Sequence, residues 1–512
     1  MTARETDATP RGPPATGPST SGTGRVSEPH IERRAARMTA VATVRQLLSL
    51  PLGLASAVTV ARFYGPAELG RFAVLSFVVT LPALVGDLGL TQAFIRRPGD
   101  PGPRETALAA SLQLWIAAAA LPLILAGIRL ADARADLPWI ALAAVLYLPT
   151  LLAAFVLRAN VLVARRLDFA RLALLDLGQQ VCYIALLLWL GIEHAGVAGL
   201  IVATTAGQLL RLGVLIRWYP GAPAAVPSIR PLVAEMKNGL PLHLTGIASG
   251  FHSGLLNWLG APLFGPVAVG YLRWSQDMTN RVGTGLAHAI GSVVYPTIAL
   301  LQEDAGRLGR VVARAVRYNV LLIGLPLALL AGLAAPVISA IFGGRWLPAS
   351  AALQVFAAFA VGTAVVVPLD AAVRVVRPTI WSLQLMLGYL AAEVLLALAL
   401  ARATGLLAIP LAHLVATAGL VALLRALLPP AARPATGRDI VLPALAVIAA
   451  FLASRLVAVT LTAWPALFAG SAAGAVAAAA VVFTVGRRSI APELLGDIRR
   501  LRPAAGAAHQ TS

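Results

Sequence analysis

The chain has 512 residues, 58% of them hydrophobic and only 12% charged, with a mean hydropathy of +0.80. A soluble domain of this length cannot hide that much apolar surface, so the composition points to a membrane protein before any motif is read. The formal charge of +19 comes almost wholly from arginine, set in short clusters between long apolar runs, which marks membrane topology and argues against a nucleic-acid partner.

The first thirty or so residues, with Pro10, Pro13, Pro14 and Pro18 in a Gly/Ser/Thr-rich stretch, are too poor in apolar groups to offset the entropy of ordering, and are predicted to form a disordered tail. They hold no apolar core ahead of a small-residue cleavage site, so the first membrane helix is expected to act as the targeting signal. A helix needs about 20 apolar residues to cross the hydrocarbon layer. Runs of that length fall near 39–62, 69–94, 106–129, 138–159, 171–191, 196–217, 236–259, 268–297, 312–342, 349–372, 379–401, 405–427, 440–458 and 463–485, fourteen in all.

Charge alternation along the connections tests that count, because cytoplasmic loops carry the excess of Lys and Arg. Arg33, Arg34 and Arg37 precede the first run, and Arg96, Arg97 and Arg104 follow the second. Arg158, Arg165 and Arg166 follow the fourth, and the same side then collects Arg217, Arg230 and Lys237, the only lysine. Arg307, Arg310, Arg314 and Arg317, then Arg374 and Arg377, then Arg425, Arg433 and Arg438, and finally Arg487 and Arg488 continue the series. Both termini are therefore expected in the cytoplasm.

Two segments are self-similar: YGPAELGRF from Tyr64 to Phe72 and FGPVAVGYL from Phe264 to Leu272. Gly-Pro pairs are common turn formers. Here, however, each copy joins an outward-ending helix to an inward-going one, and six helices separate them. The expected fold is all-α and integral to the membrane: about 14 transmembrane helices, in two parallel six-helix bundles (helices 1–6 and 7–12) around a central cavity, plus two C-terminal helices. The corresponding segments are a cytoplasmic tail at 1–35, a bundle at 36–218, a cytoplasmic linker at 219–235, a bundle at 236–430, helices thirteen and fourteen at 431–486, and a cytoplasmic tail at 487–512.

Charged groups inside spans are costly and usually face a cavity or a partner. In the eighth span Arg273, Asp277, Asn280, Arg281 and His288 share one helical face, a polar stripe about 22 Å long. The seventh span offers Thr245, Ser249, His252, Ser253 and Asn257 at helical spacing, and the first offers Arg45 and Gln46. Arg45, Arg273 and Arg281 would make a cavity electropositive, and the planar guanidinium fork suits pyrophosphate. Two readings stand for two of them: Arg273 can instead pair with Asp277 four residues on, and Arg45 can snorkel to the surface. Substrate-binding candidates are thus Arg45, Arg273, Arg281, Asn280, Asn257 and His252, while His243, His252 and His288 can equally be hydrogen-bonded packing residues. Ion coupling would need a buried acid, for which Asp87, Asp277, Asp370 and Glu393 are candidates, although Asp87 in GDLGL can simply tie helices together. Cys182 stands alone, metal-ligand spacings and phosphate loops are missing, and neither a metal, a cofactor nor a catalytic residue is expected.

The stretches ARFYGPAELGRFAVLSFVVTLPALVGDLGLTQAFIRR, FGPVAVGYL, VVYPTIALLQED and FGGRWLPAS, in this order within about 40–430, resemble the polysaccharide-transport branch of the multidrug/oligosaccharidyl-lipid/polysaccharide exporter superfamily. The resemblance implies a V-shaped pair of bundles in the bacterial plasma (inner) membrane. It implies alternating-access movement of an undecaprenyl-pyrophosphate-linked sugar to the outer leaflet, and no enzymatic activity. It places pyrophosphate on arginines of the first and eighth helices, matching Arg45, Arg273 and Arg281, and a lipid-tail groove at helices thirteen and fourteen. It adds membrane lipids as partners, with a polysaccharide polymerase and other assembly proteins as further candidates. Where many relatives carry an acid late in the seventh helix, this chain has Leu256 and Asn257. The rival functions are an ion-coupled multidrug or organic-cation exporter, which the arginine stripe disfavours, a membrane-embedded polysaccharide polymerase, which needs a larger outer loop than about ten residues, and a scaffold with an inactive cavity.

Overall fold

Lipid offers the backbone no hydrogen bonds, so a spanning chain must satisfy its own N–H and C=O groups. Among the described residues every regular element is helical, and no strand occurs. The structure, a computed structural model, describes residues 45, 48–97, 99–131, 137–166, 169–221, 223–224, 229–299, 304–378, 380–461 and 463–485, with side chains except at 130, 131, 166, 169, 170, 238, 284–299 and 463. The expected tails at 1–35 and 487–512, and Gln46, lie outside the described residues, as does the side chain of His288.

In chain order the helices are α1 (Leu48–Phe63), α2 (Pro66–Gly86), α3 (Leu90–Arg96), α4 (Pro103–Ala131), α5 (Leu137–Leu152), α6 (Leu157–Arg166), α7 (Phe169–Ile192), α8 (Gly196–Trp218) and α9 (Val233–Ser253). They continue with α10 (Leu255–Trp258), α11 (Gly260–Ala299), α12 (Ala305–Gly332), α13 (Ala334–Val337), α14 (Ser350–Val376), α15 (Ile380–Thr404), α16 (Ala408–Leu427), α17 (Leu442–Thr460) and α18 (Ala463–Thr484).

The described residues of the apolar runs are mainly helical. Among the described residues, ten helical stretches are long and apolar enough to cross a membrane, and one of these, Ile380–Leu427, contains both α15 and α16. The chain is a multi-pass membrane protein. The first, seventh and eighth runs fall short of that measure. α1 is described over only its apolar Leu48–Phe63 part, and α9 and α11 carry the polar stripes that lower their hydropathy. Leu123, Leu174, Leu456 and Phe468 stay exposed on outward faces, where lipid would cover them.

The two self-similar segments meet. A Cβ added to Gly70 would stand 1.7 Å from the Pro266 carbonyl oxygen, and one added to Gly270 would stand 1.8 Å from that of Pro66. This reciprocity is what two copies of one motif produce when they face each other across a two-fold axis. Only the second copy needs its first glycine for conformation, since Gly265 sits at φ 79° whereas Gly65 is extended at φ −89°. Replacing Gly70 or Gly270 by Ala is expected to push α2 off α11 and destabilise the fold by about 1–3 kcal/mol, seen as a lower melting temperature in detergent. An unchanged melt for both variants would show that the contact is not tight.

At the other end of α2 the chain breaks at Asp87-Leu88-Gly89, with Leu88 at φ 48° and Gly89 at φ 79°. Gly89 lies against Gly239 of α9 so closely that a Cβ there would be 2.7 Å from the Gly239 carbonyl carbon. α2 and α3 therefore touch α11 and α9 at both ends of the bundle. The last two helices, α17 and α18, lie beside each other against α12. Gly332, Gly470 and Gly474 let side chains and backbone of the facing helices approach.

Candidate functional site

Between these contacts lies a cavity of about 560 Å³, bounded by α1, α2, α5, α7, α8, α9, α10 and α11. Its polar lining includes Ser76, Gln179, Ser253, Asn257, Arg273 and Arg281. A second cavity, of about 370 Å³, opens among α9, α11, α12 and α14 and is lined by His252, Asn280 and Thr363 among others. Ser253, Arg273 and Asp277 border both. The eighth run's stripe thus forms the wall between two polar chambers.

The stripe's two arginines differ. Arg273 Nε donates to Asp277 Oδ2 at 3.1 Å, so its charge is largely offset within its own helix turn. Arg281 points its guanidinium across to α1, where Gly53 makes room: a Cβ at Gly53 would be 2.6 Å from Arg281 Nη1. The Nε of Arg281 is buried without a hydrogen-bond partner. So are Ser76 Oγ, Asn257 Oδ1 and Trp274 Nε1, all from residues lining the same cavity. Buried polar atoms in proteins are nearly always paired, so four orphans around one cavity describe a site shaped for a polar occupant.

The other candidates are placed elsewhere. Arg45 is held by Asp176 of α7 at 2.9 Å, and Asp176 also takes Arg211 of α8 at 3.2 Å. Arg45 lines neither cavity. Asp87 accepts the Thr91 hydroxyl at the start of α3, and Asp370 pairs with Arg374 at 2.7 Å. The ring of His243 contacts the Val85 carbonyl at 3.2 Å, tying α9 to the end of α2. Thr245 and Ser253 donate to carbonyls of their own helix. Glu393, which the sequence leaves without a partner, is buried between His252 and His413. Nothing in the spacing of three residues on three helices announces that grouping.

Both ends of the first cavity are latched by arginines. The carbonyls that end α1 have no helical partners, and the Gly344–Ala349 turn supplies them: Arg345 Nε donates to the Ala61 carbonyl at 3.1 Å, Arg345 Nη2 reaches the Arg62 carbonyl, and Trp346 Nε1 donates to Ala61 at 3.0 Å. Arg62 answers by donating to the Ile341 carbonyl at 3.0 Å. At the arginine-rich end Arg97 bridges Glu105 and Glu235, each at 2.9 Å. The hydrogen bond to Glu105 pushes the Arg97 pKa above arginine's ordinary value, with Glu235 adding to it. Arg165 caps the end of α3 through the Phe94 and Arg97 carbonyls. Residues expected only as topology signals therefore also close the structure.

The sequence profile of the polysaccharide biosynthesis protein family matches residues 59–351, more than half of the chain. The chain belongs to that family. No curated protein sequence matches it. Among solved structures, the lipid II flippase MurJ in an inward closed conformation superposes with a TM-score of 0.72 at 14% identity, covering 88% of this chain and 99% of that one. A multidrug resistance MATE family transporter of the MOP superfamily, in an inward-facing conformation, gives 0.53 at 18% identity over 75% and 97%. The MATE multidrug transporter DinF-BH gives 0.54 at 14% identity over 79% and 98%. The family member thus has the fold of MOP-superfamily transporters, all-α with a MurJ-like arrangement.

Proposed function

We propose that this chain is a flippase that moves an undecaprenyl-pyrophosphate-linked oligosaccharide, a surface-polysaccharide precursor, from the cytoplasmic to the outer leaflet of a bacterial plasma membrane by alternating access. The observation that carries the reading is the first cavity, in which an arginine with an unpaired Nε stands among orphaned polar atoms. Arg281 offers a fixed charge and a fork for pyrophosphate oxygens, Trp274 and Ser76 offer donors to a saccharide, and Asn257 offers an acceptor. Arg273, compensated by Asp277, contributes less charge, and Arg45 is held by Asp176 in this conformation. The structure's two latches would then be the two gates: the arginine-rich end parts Gly89 from Gly239 and Arg97 from Glu235, while the opposite end releases α1 from Arg345 and Trp346.

This assignment takes the arginine-rich end and both termini as cytoplasmic, the two bundles at 36–218 and 236–430 as the moving bodies, and a polysaccharide polymerase and other assembly proteins as neighbours. Deleting the gene is expected to make the lipid-linked oligosaccharide accumulate and the surface polysaccharide disappear, with both reversed by the wild-type gene. Unchanged surface polysaccharide, with no lipid-linked intermediate building up, would exclude the substrate.

A further inference from the structure

Glu393 sits in the middle of α15 with no solvent exposure, and such a position normally holds an apolar side chain. Its two oxygens are each taken by an imidazole: Oε2 is 2.6 Å from His252 Nδ1 of α9, and Oε1 is 2.6 Å from His413 Nδ1 of α16. The two rings stand 5.3 Å apart, edge to face. Phe359 of α14 stacks on His413 at 5.1 Å, and Tyr389 of α15 lies 5.2 Å from His252 with its hydroxyl 2.8 Å from Thr417 Oγ1. The titratable groups facing the carboxylate are therefore His252 from α9, His413 from α16 and Tyr389 from its own helix. α14 contributes the rings of Phe356 and Phe359 against His413, and the second cavity that His252 lines is also bordered by the paired Arg273 and Asp277. Among the described residues no Arg or Lys forms an ion pair with Glu393.

This arrangement leaves a charge to be balanced. Where each ring donates its Nδ1–H to the carboxylate and carries no second proton, the group as a whole holds one negative charge inside the membrane layer. Each ring keeps its Nε2 as an acceptor. That of His413 is buried with no partner, whereas His252 lines the second cavity. The ligand atoms of the three side chains fall within 4.8 Å of one another, a grouping an ion could bridge. Atoms that share a tetrahedral zinc ion, however, stand about 3.3 Å apart, and the observed 2.6 Å is a hydrogen-bond separation.

We propose that His252, Glu393 and His413 form a proton-binding site fed from the second cavity. A hydronium ion in the cavity gives its proton to the Nε2 lone pair of His252: one O–H bond breaks and one N–H bond forms, water is left behind, the ring becomes imidazolium with its Nδ1–H still hydrogen-bonded to Glu393, and the net charge of the group goes from minus one to zero. The location connects this event to conformation. His252 lies two residues before Gly254, where α9 breaks before α10, and Phe77 of α2 fills the space at that break so closely that a Cβ on Gly254 would be 2.1 Å from its ring. A change of charge at His252 acts on the piece of α9 that α2 rests against, beside Ser253, which borders both cavities.

The proton chemistry is independent of what occupies the first cavity, and its use in driving transport rests on the flippase reading. The test therefore uses the purified full-length protein in liposomes, without substrate, on a solid-supported membrane, with pH jumps applied from the bath. The wild type is expected to give a transient charge displacement whose size depends on the pH reached in the jump. Glu393→Gln and His252→Gln are expected to reduce it to background, and His194→Gln, at an exposed residue in the turn between α7 and α8, to leave it intact. If Glu393→Gln does not reconstitute, His252→Gln, at the cavity edge, carries the test. A wild type without pH-driven charge movement, or variants that keep it, overturns the proposal, as does tight one-to-one Zn²⁺ binding at neutral pH that His413→Gln removes. A proton signal lost in these variants, combined with no lipid-linked intermediate in the deletion strain, would reject the substrate and leave the proton site standing.

Discussion

Arg281→Ala is expected to reduce translocation of the pyrophosphate-linked substrate roughly 30-fold to a few thousandfold, corresponding to about 2–5 kcal/mol for removing one partner of a buried charged hydrogen bond. Protein in the membrane is expected to remain at wild-type level, because Arg281 Nε has no partner in the fold to lose. Arg281→Lys should restore only part of the activity, since an ammonium supplies charge without the two-pronged geometry. Arg273→Ala should cost less than Arg281→Ala, because Asp277 already offsets that charge. Counting radiolabelled lipid-linked saccharide delivered to the outer leaflet decides among these. Undiminished delivery by Arg281→Ala removes the central support for the flippase reading.

The contrast between Arg281 and Arg45 shows what a sequence can and cannot say about such a site. Helical spacing put Arg273, Asp277 and Arg281 on one face, and that face does border the cavities, because periodicity along a single helix is a local property. Arg45 is equally polar and equally placed in an apolar run, yet it turns to Asp176 on α7, a choice made by packing between helices 131 residues apart in sequence. Glu393 shows the same limit in reverse. Its partners come from α9 and α16, and no pattern within α15 reveals them. The Gly-Pro repeat was legible because it is written twice, and the structure gives it a meaning the spacing alone lacks: each copy's glycine accommodates the other copy's proline. The motif FGGRWLPAS was legible as a resemblance only. That its arginine and tryptophan cap the end of α1 depends on a contact more than 280 residues away.

The largest loss of stability is expected from Asp439→Ala. Arg317 of α12 and Asp439, just before α17, are both buried and hydrogen-bonded to each other, so the pair ties the start of α17 to the core of α12. Asp439 also accepts the Ala435 N–H at 2.7 Å, which holds the turn leading into α17. Removing the carboxylate takes the charged partner at Asp439 from a guanidinium in a place that water does not reach, at a cost of up to about 3–5 kcal/mol. Replacing both partners by apolar residues of similar size, as in the double variant Arg317→Met with Asp439→Leu, removes the buried charges altogether and should recover most of that loss. The remainder is the hydrogen bond to Ala435, about 1 kcal/mol. Melting curves in detergent, read from tryptophan fluorescence, test the sequence wild type, double variant, single variant from most to least stable. If the single variant melts with the wild type, Arg317 has found compensation elsewhere and the pair is not what fastens α17 and α18 to the rest of the bundle. If the double variant is as unstable as the single one, the defect lies in the turn at Ala435 and not in the buried charge.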